Sequence, residues 1–113
     1  MRVLIVDDYP PKLHILEHIV RRLRPDVDLT VAESFVEGRA ALVEAEWDCA
    51  LFDNRLHDGS GMSLLRLARD RGIPALVVSA HEPSTQEERR EVRDLRDLAG
   101  LRRTISGAFG WPS

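Results

Sequence analysis

Asp7, Asp8, Asp53 and Ser79 are the residues whose types and spacing could do chemistry together. Asp7 and Asp8 follow the apolar run Val3 to Val6, Asp53 follows Ala50 to Phe52, and Ser79 follows Ala75 to Val78. Each polar group therefore stands at the end of a short apolar segment. Three clustered carboxylates repel one another, and at least one has its pKa raised unless a cation intervenes. Mg2+ suits such a cluster, because it prefers oxygen ligands, keeps several waters and binds through one or two carboxylates plus phosphate oxygens. An aspartate in that setting can act as a nucleophile and form an acyl phosphate. A nearby hydroxyl can then bind a phosphoryl oxygen while the metal neutralises charge on the incoming group. Singly, each piece has a plainer role: an acidic pair opening a loop, Asp53 capping a turn, Ser79 capping a helix. The combination is far less ordinary, since every piece falls at the same end of a successive or neighbouring strand.

The elements that must hold these residues follow from the hydrophobic pattern. Val3 to Val6, Ala50 to Phe52 and Ala75 to Val78 are continuous short apolar runs, and Leu29 to Ala32 is a similar run with Thr30 inside it, as in strands of a parallel sheet covered on both faces. Leu13, Leu16, Ile19, Val20 and Leu23 repeat at helical spacing after Pro10 and Pro11. Ser34 caps a second helix, with Glu37 as its capping-box partner, predicted to run to about Trp47. A third helix is predicted from Gly61 to Arg71, closed by Gly72 and Pro74. The alternation implies right-handed βαβ units and a parallel sheet with helices on both faces. Ligands bind beyond the carboxyl ends of strands in such sheets, where the three aspartates and Ser79 converge. Beyond Ser84 the pattern weakens. Ser84 to Ala99 reads as a largely solvated helix with a narrow apolar stripe. Leu101 to Ile105 reads as a weak fifth strand, and SGAFGWPS as too short and broken for a full final helix.

Composition bounds the rest. The chain has 113 residues, 43% of them hydrophobic, which fits one small domain. We take residues 1–113 as that domain, regular over 1–80 and divergent over 81–113. The net charge of -3 does not suggest direct nucleic-acid binding. Cys49 is the only cysteine, in keeping with a reducing compartment. The opening apolar run is too short for a signal peptide or a membrane span, so a cytoplasmic location is expected.

Three segments, in order, resemble the receiver domains of bacterial response regulators. VLIVDDYP, Val3 to Pro10, is similar to that family's first strand and acidic pair. LFDNRLHDGSGMSLL, Leu51 to Leu65, resembles its phosphorylation loop, with Leu56 three residues and Gly61 eight residues after Asp53. IPALVVSA, Ile73 to Ala80, resembles its fourth strand and switch hydroxyl. The resemblance covers Met1 to about Ala80. It implies a flavodoxin-like, doubly wound α/β fold with strand order 2-1-3-4-5 and an atypical or shortened last strand and helix. It also implies Mg2+ held by Asp8, Asp53 and the backbone carbonyl of Arg55, with Asp7 acting mainly through a metal-bound water. Asp53 would be the phosphoacceptor, supplied by a sensor histidine kinase or a phosphotransfer protein, and Ser79 the switch residue. The implied role is a signalling module rather than an enzyme, with no output domain in the chain and an unidentified downstream protein.

The departures from that family matter as much. Its members carry a lysine at the end of the fifth strand, and here no lysine occurs after Lys12. Lys12 follows the first strand and is not the matching position; Arg102 and Arg103 are the candidate substitutes, although a guanidinium is not equivalent to an ammonium. His57 stands where the family usually has proline, four residues after the acceptor. Arg55 and His81 fall at positions that tune loss of the phosphoryl group in the family. These departures support a second reading: a pseudo-receiver, acting as a protein-interaction module without phosphate. If the shortened end leaves apolar surface uncovered, a homodimer could bury it.

Other signals carry less. His14 to His18 reads H-x-x-E-H, a zinc peptidase pattern, but both histidines fall on the polar face of their helix and no third ligand or cleft is evident. Trp47 is expected in helix packing and Trp111 in an interface or a frayed tail.

Overall fold

Strands buried on both faces decide the architecture, which we describe from a computed structural model covering residues 1–112. β1 (Arg2–Val6), β2 (Asp28–Ala32), β3 (Cys49–Asp53), β6 (Ala75–Ser79) and β7 (Val92–Asp94) form one sheet in the order β2-β1-β3-β6-β7, every neighbouring pair parallel. Counting only these five strands, the order is 2-1-3-4-5, the doubly wound arrangement expected. β4 (Arg55–Leu56) and β5 (Gly59–Ser60) form a separate antiparallel hairpin just after β3.

Alternate side chains of β1 feed two separate cores. Val3 and Ile5 pack with Leu16, Val20, Leu101 and Ile105, from α1 (Pro10–Leu23) and α5 (Leu98–Phe109). Leu4 and Val6 pack with Leu42, Leu64 and Leu65, from α2 (Phe35–Glu44) and α3 (Gly61–Asp70). Each fully buried aliphatic side chain contributes about 1.5–3 kcal/mol relative to exposure.

The helix boundaries largely follow their caps. Pro10 and Pro11 open α1, where a missing N–H costs nothing. Ser34 Oγ accepts from Glu37 N at 3.1 Å, whereas the Glu37 carboxylate accepts from Glu33 N at 2.9 Å, one residue earlier than a capping box requires. α2 ends at Glu44, short of Trp47. Trp47 instead lies beyond the helix, buried, with its Nε1 donating to Ala41 O at 2.9 Å and the Arg2 guanidinium over its ring. Gly72, at φ +71°, terminates the third helical segment.

The C-terminal third corrects four expectations. The charged stretch is not one helix: α4 spans only Gln86–Glu91, and the chain then enters β7. The fifth strand is therefore Val92–Asp94, not Leu101 to Ile105, and it pairs Val77 with Val92 and Ser79 with Asp94. A full final helix exists, since α5 runs twelve residues from an Asp97 cap to Gly110 at φ +68°. Leu101 and Ile105, one helical turn apart, are its buried face. Trp111 is neither frayed nor at a surface: it is 5% exposed, its ring centroid lies 5.1 Å from that of Phe109 in a tilted pair, and its backbone N–H donates to Ser106 O. Among the described residues, no helix is long and apolar enough to cross a membrane. Burial pushes the Cys49 thiol up to about 12, so it stays an unreactive thiol.

Candidate metal and phosphoacceptor site

The C-terminal ends of β1, β3 and β6 bring the predicted residues to one edge of the sheet. One carboxylate oxygen each from Asp7, Asp8 and Asp53 lies within 4.8 Å of the others. Asp7 is fully buried, Asp53 is 3% exposed, and Asp8 is partly open to solvent. The register places Asp53 opposite Val78, so Ser79 stands one residue further along the neighbouring strand. Ser79 is buried, and its Oγ accepts from His81 N at 3.0 Å. Arg55 N donates to Asp53 Oδ1 at 3.2 Å, while the Arg55 side chain is exposed.

Electrostatics within the cluster are uneven. Burial pushes the Asp7 carboxyl up to about 6; the Tyr9 N–H and Lys12 oppose the rise, and Asp53 and Asp8 add to it. Asp7 Oδ1 accepts from Tyr9 N at 2.9 Å, but Asp7 Oδ2 is buried with no hydrogen-bond partner. Burial also acts to raise Asp8, yet hydrogen bonds from His57 outweigh it and hold that carboxyl below the usual range. His57 N donates to Asp8 Oδ2 at 2.8 Å, and the ring Nδ1 lies 3.1 Å from the same oxygen.

Sequence reasoning missed one residue of this site. Lys12, buried at 8% exposure, directs its ammonium between Asp53 and Asp7: Nζ pairs with Asp53 Oδ1 and lies 3.6 Å from Asp7 Oδ2. The signal was present. Leu16, Ile19, Val20 and Leu23 form the buried stripe of α1, and extending that stripe back one turn lands on Lys12. Arg102 and Arg103 lie on α5 with exposed side chains, and among the described residues neither forms a hydrogen bond or ion pair with Asp53. His14 and His18 are exposed on α1, as expected for a polar face.

The loop after Asp53 is tightly built. The Asp58 carboxylate accepts from Phe35 N at 2.7 Å and Val36 N at 3.1 Å, so the β4–β5 hairpin caps the start of α2. Gly61 opens α3 directly against β3: a Cβ there would meet the backbone carbonyl of Asp53. Only glycine permits that approach, which gives the spacing between Asp53 and Gly61 its physical reason.

A buried, partly unpartnered oxygen cluster at the carboxyl edge of a five-stranded parallel sheet defines a class. The chain belongs to the response regulator receiver domain family, whose model it matches over residues 3–96, well past Ala80 and through β7. Receiver domains are the signalling modules of two-component systems and work with histidine kinases or phosphotransfer proteins. The chain is 33% identical over 82 residues to the response regulator protein PilR of Pseudomonas aeruginosa, covering 71% of this chain and 18% of PilR. It thus spans under a fifth of that relative's length.

Solved structures agree on the fold. The receiver domain of sensor histidine kinase PA1611 from P. aeruginosa, which has a magnesium ion coordinated in its active site cleft, superposes with a TM-score of 0.75. It is 21% identical, with 96% of this chain and 97% of that one covered. Response regulator protein TrrA from Thermotoga maritima, in complex with Mg2+-BeF, gives 0.73 at 17% identity, covering 95% and 97%. A CheY-like receiver domain protein from Methanospirillum hungatei gives 0.75 at 22% identity, covering 96% and 93%.

Proposed function

We propose that this chain accepts a phosphoryl group on Asp53 from a histidine kinase or phosphotransfer protein, in a reaction that requires Mg2+. The observation that carries the reading is the cluster of Asp7, Asp8 and Asp53 with the orphaned Asp7 Oδ2 inside it. A buried carboxylate oxygen without a partner is costly, and an all-oxygen donor set suits a hard cation. Asp8, Asp53 and the carbonyl of Arg55 would hold Mg2+ directly, with Asp7 acting through a bound water. The ion, when bound, offsets charge on the phosphoryl oxygens.

The protein's own groups do the rest. A carboxylate oxygen of Asp53 forms the new P–O bond as the P–N bond to the donor's histidine breaks, and the departing imidazole keeps that bond's electron pair and carries a ring proton. Arg55 N, already on Asp53 Oδ1, orients the nucleophile. Ser79 gives up its bond from His81 N and turns its hydroxyl to a phosphoryl oxygen, which biases the β6–α4 segment toward a second arrangement.

One observation favours a phosphate-independent interaction module instead. Leu95, the residue just after β7, is apolar and buried where the family carries its lysine. Incubation with a small-molecule phosphodonor and Mg2+, read by intact mass with Asp53→Asn as control, separates the two. A base-labile gain of one phosphoryl group, absent in the variant, supports the acceptor; no gain, with no stabilisation by Mg2+ and beryllofluoride, supports the interaction module.

A further inference from the structure

Lys12 is the chain's only lysine. It sits in the first turn of α1, yet its ammonium is buried against the acceptor, in contact with Asp53 and 3.6 Å from Asp7. Lys12 and Asp53 line a cleft of about 470 Å³ together with Asp8, Arg55 and Leu95. Leu95 N donates to Ser79 O at 3.0 Å, so Leu95 extends the β7 ladder by one residue and presents an apolar side chain at that wall. The fifth-strand edge of the cleft therefore supplies no cation. Of the basic groups lining it, Arg55 and His81 are exposed and Lys12 alone is buried.

A phosphoryl group on Asp53 brings additional negative charge into this cleft. Its oxygens need donors, and a lysine ammonium offers three on a flexible stem that can follow a displacement of a few ångströms. Such charge-assisted hydrogen bonds are the strong ones.

We propose that Lys12, reaching over the sheet edge from α1, is the cationic partner of the phosphoryl group. It pairs with Asp53 before transfer and with a phosphoryl oxygen afterwards. The first helix thereby supplies the charge that the end of β7 lacks. This inference rests on the reading of Asp53 as acceptor and assigns that site its counter-charge.

The test uses the whole chain with Lys12→Met, which keeps the length and burial of the stem, and with the double variant Lys12→Met, Leu95→Lys, which restores an ammonium from the opposite wall. Three quantities are measured: Mg2+ affinity alone, beryllofluoride affinity at saturating Mg2+, and the rate of phosphorylation by acetyl phosphate. The proposal expects Lys12→Met to lose about ten- to a hundredfold in beryllofluoride affinity and phosphorylation rate, to bind Mg2+ alone at least as tightly as wild type, and to regain part of the loss in the double variant. Unchanged or faster phosphorylation in Lys12→Met overturns it, making Lys12 only an occupant of the acceptor. Loss of Mg2+ binding together with the other two, without rescue by Leu95→Lys, overturns it in favour of a structural role. If wild type itself takes neither beryllofluoride nor phosphate, the acceptor reading beneath the inference has failed instead.

Discussion

His57 holds Asp8 from two directions, with its backbone N–H at 2.8 Å and its ring Nδ1 at 3.1 Å from the same carboxylate oxygen. That oxygen belongs to one of the three carboxylates that would take up a divalent cation. The ring is largely exposed, so its share is small and screened. His57→Ala should raise Mg2+ affinity about two- to fivefold, measured by calorimetric titration. Equal or weaker binding in the variant would show that the ring does not compete with the ion.

Asp7 sets a pH dependence in the metal-free protein. With its pKa raised from 3.8 to about 6, chiefly by burial, the folded state binds a proton between those values that the unfolded chain does not. Stability from this group is therefore lost as pH rises through the window. Asp7→Asn, which imitates the protonated form, should be more stable than wild type at pH 7 by up to about 3 kcal/mol and nearly equal to it at pH 4. Urea unfolding of both proteins at the two pH values checks this, and a difference that is flat or grows on acidification would contradict it.

The same proton competes with a cation. Stabilisation by saturating Mg2+, read as a shift in Tm, should be larger at pH 7.5 than at pH 5, since Asp7 is mostly ionised only at the higher value. An equal shift at both would mean that Asp7 stands outside the metal's reach.

Gly61→Ala places a methyl group on the Asp53 carbonyl. Backbone cannot yield as a flexible side chain can, so the start of α3 or the end of β3 must move, at a cost of about 1–3 kcal/mol. Denaturant unfolding measures the cost, and an unchanged midpoint would place slack where the structure shows contact.

At the other end of the chain, Trp111→Ala should cost about 3–5 kcal/mol, because the indole is part of the α1–α5 core. Trp111→Phe should cost much less, since the buried indole Nε1 has no hydrogen-bond partner among the described residues. Similar, small losses in both would return the segment to a loosely held tail.

How far the fold could be read from sequence depended on where each element lies. β1, β3 and β6 are interior strands, and burial on two faces writes a continuous apolar run whose shortness marks it as a strand rather than a buried helix. β7 lies at the sheet edge, and Val92–Arg93–Asp94, none of them fully buried, carries no such run amid charged neighbours. Gly107 and Gly110 looked like helix breakers, yet Gly107 faces open space on α5 and Gly110 is its left-handed cap. The acidic residues and Ser79 were legible because strand ends fix their direction. Lys12 was not, because family spacing pointed to the far end of the chain while only the helical stripe, 41 residues from its partner in sequence, pointed back to Asp53.

The account stands on Asp53 as the acceptor, and borohydride trapping tests that most directly. The chain is treated with acetyl phosphate and Mg2+, reduced with borohydride, digested and sequenced by mass spectrometry. The account predicts homoserine in place of Asp53, with Asp7 and Asp8 unchanged. Homoserine at another aspartate, or at none while the folded chain retains Mg2+ binding, would contradict it.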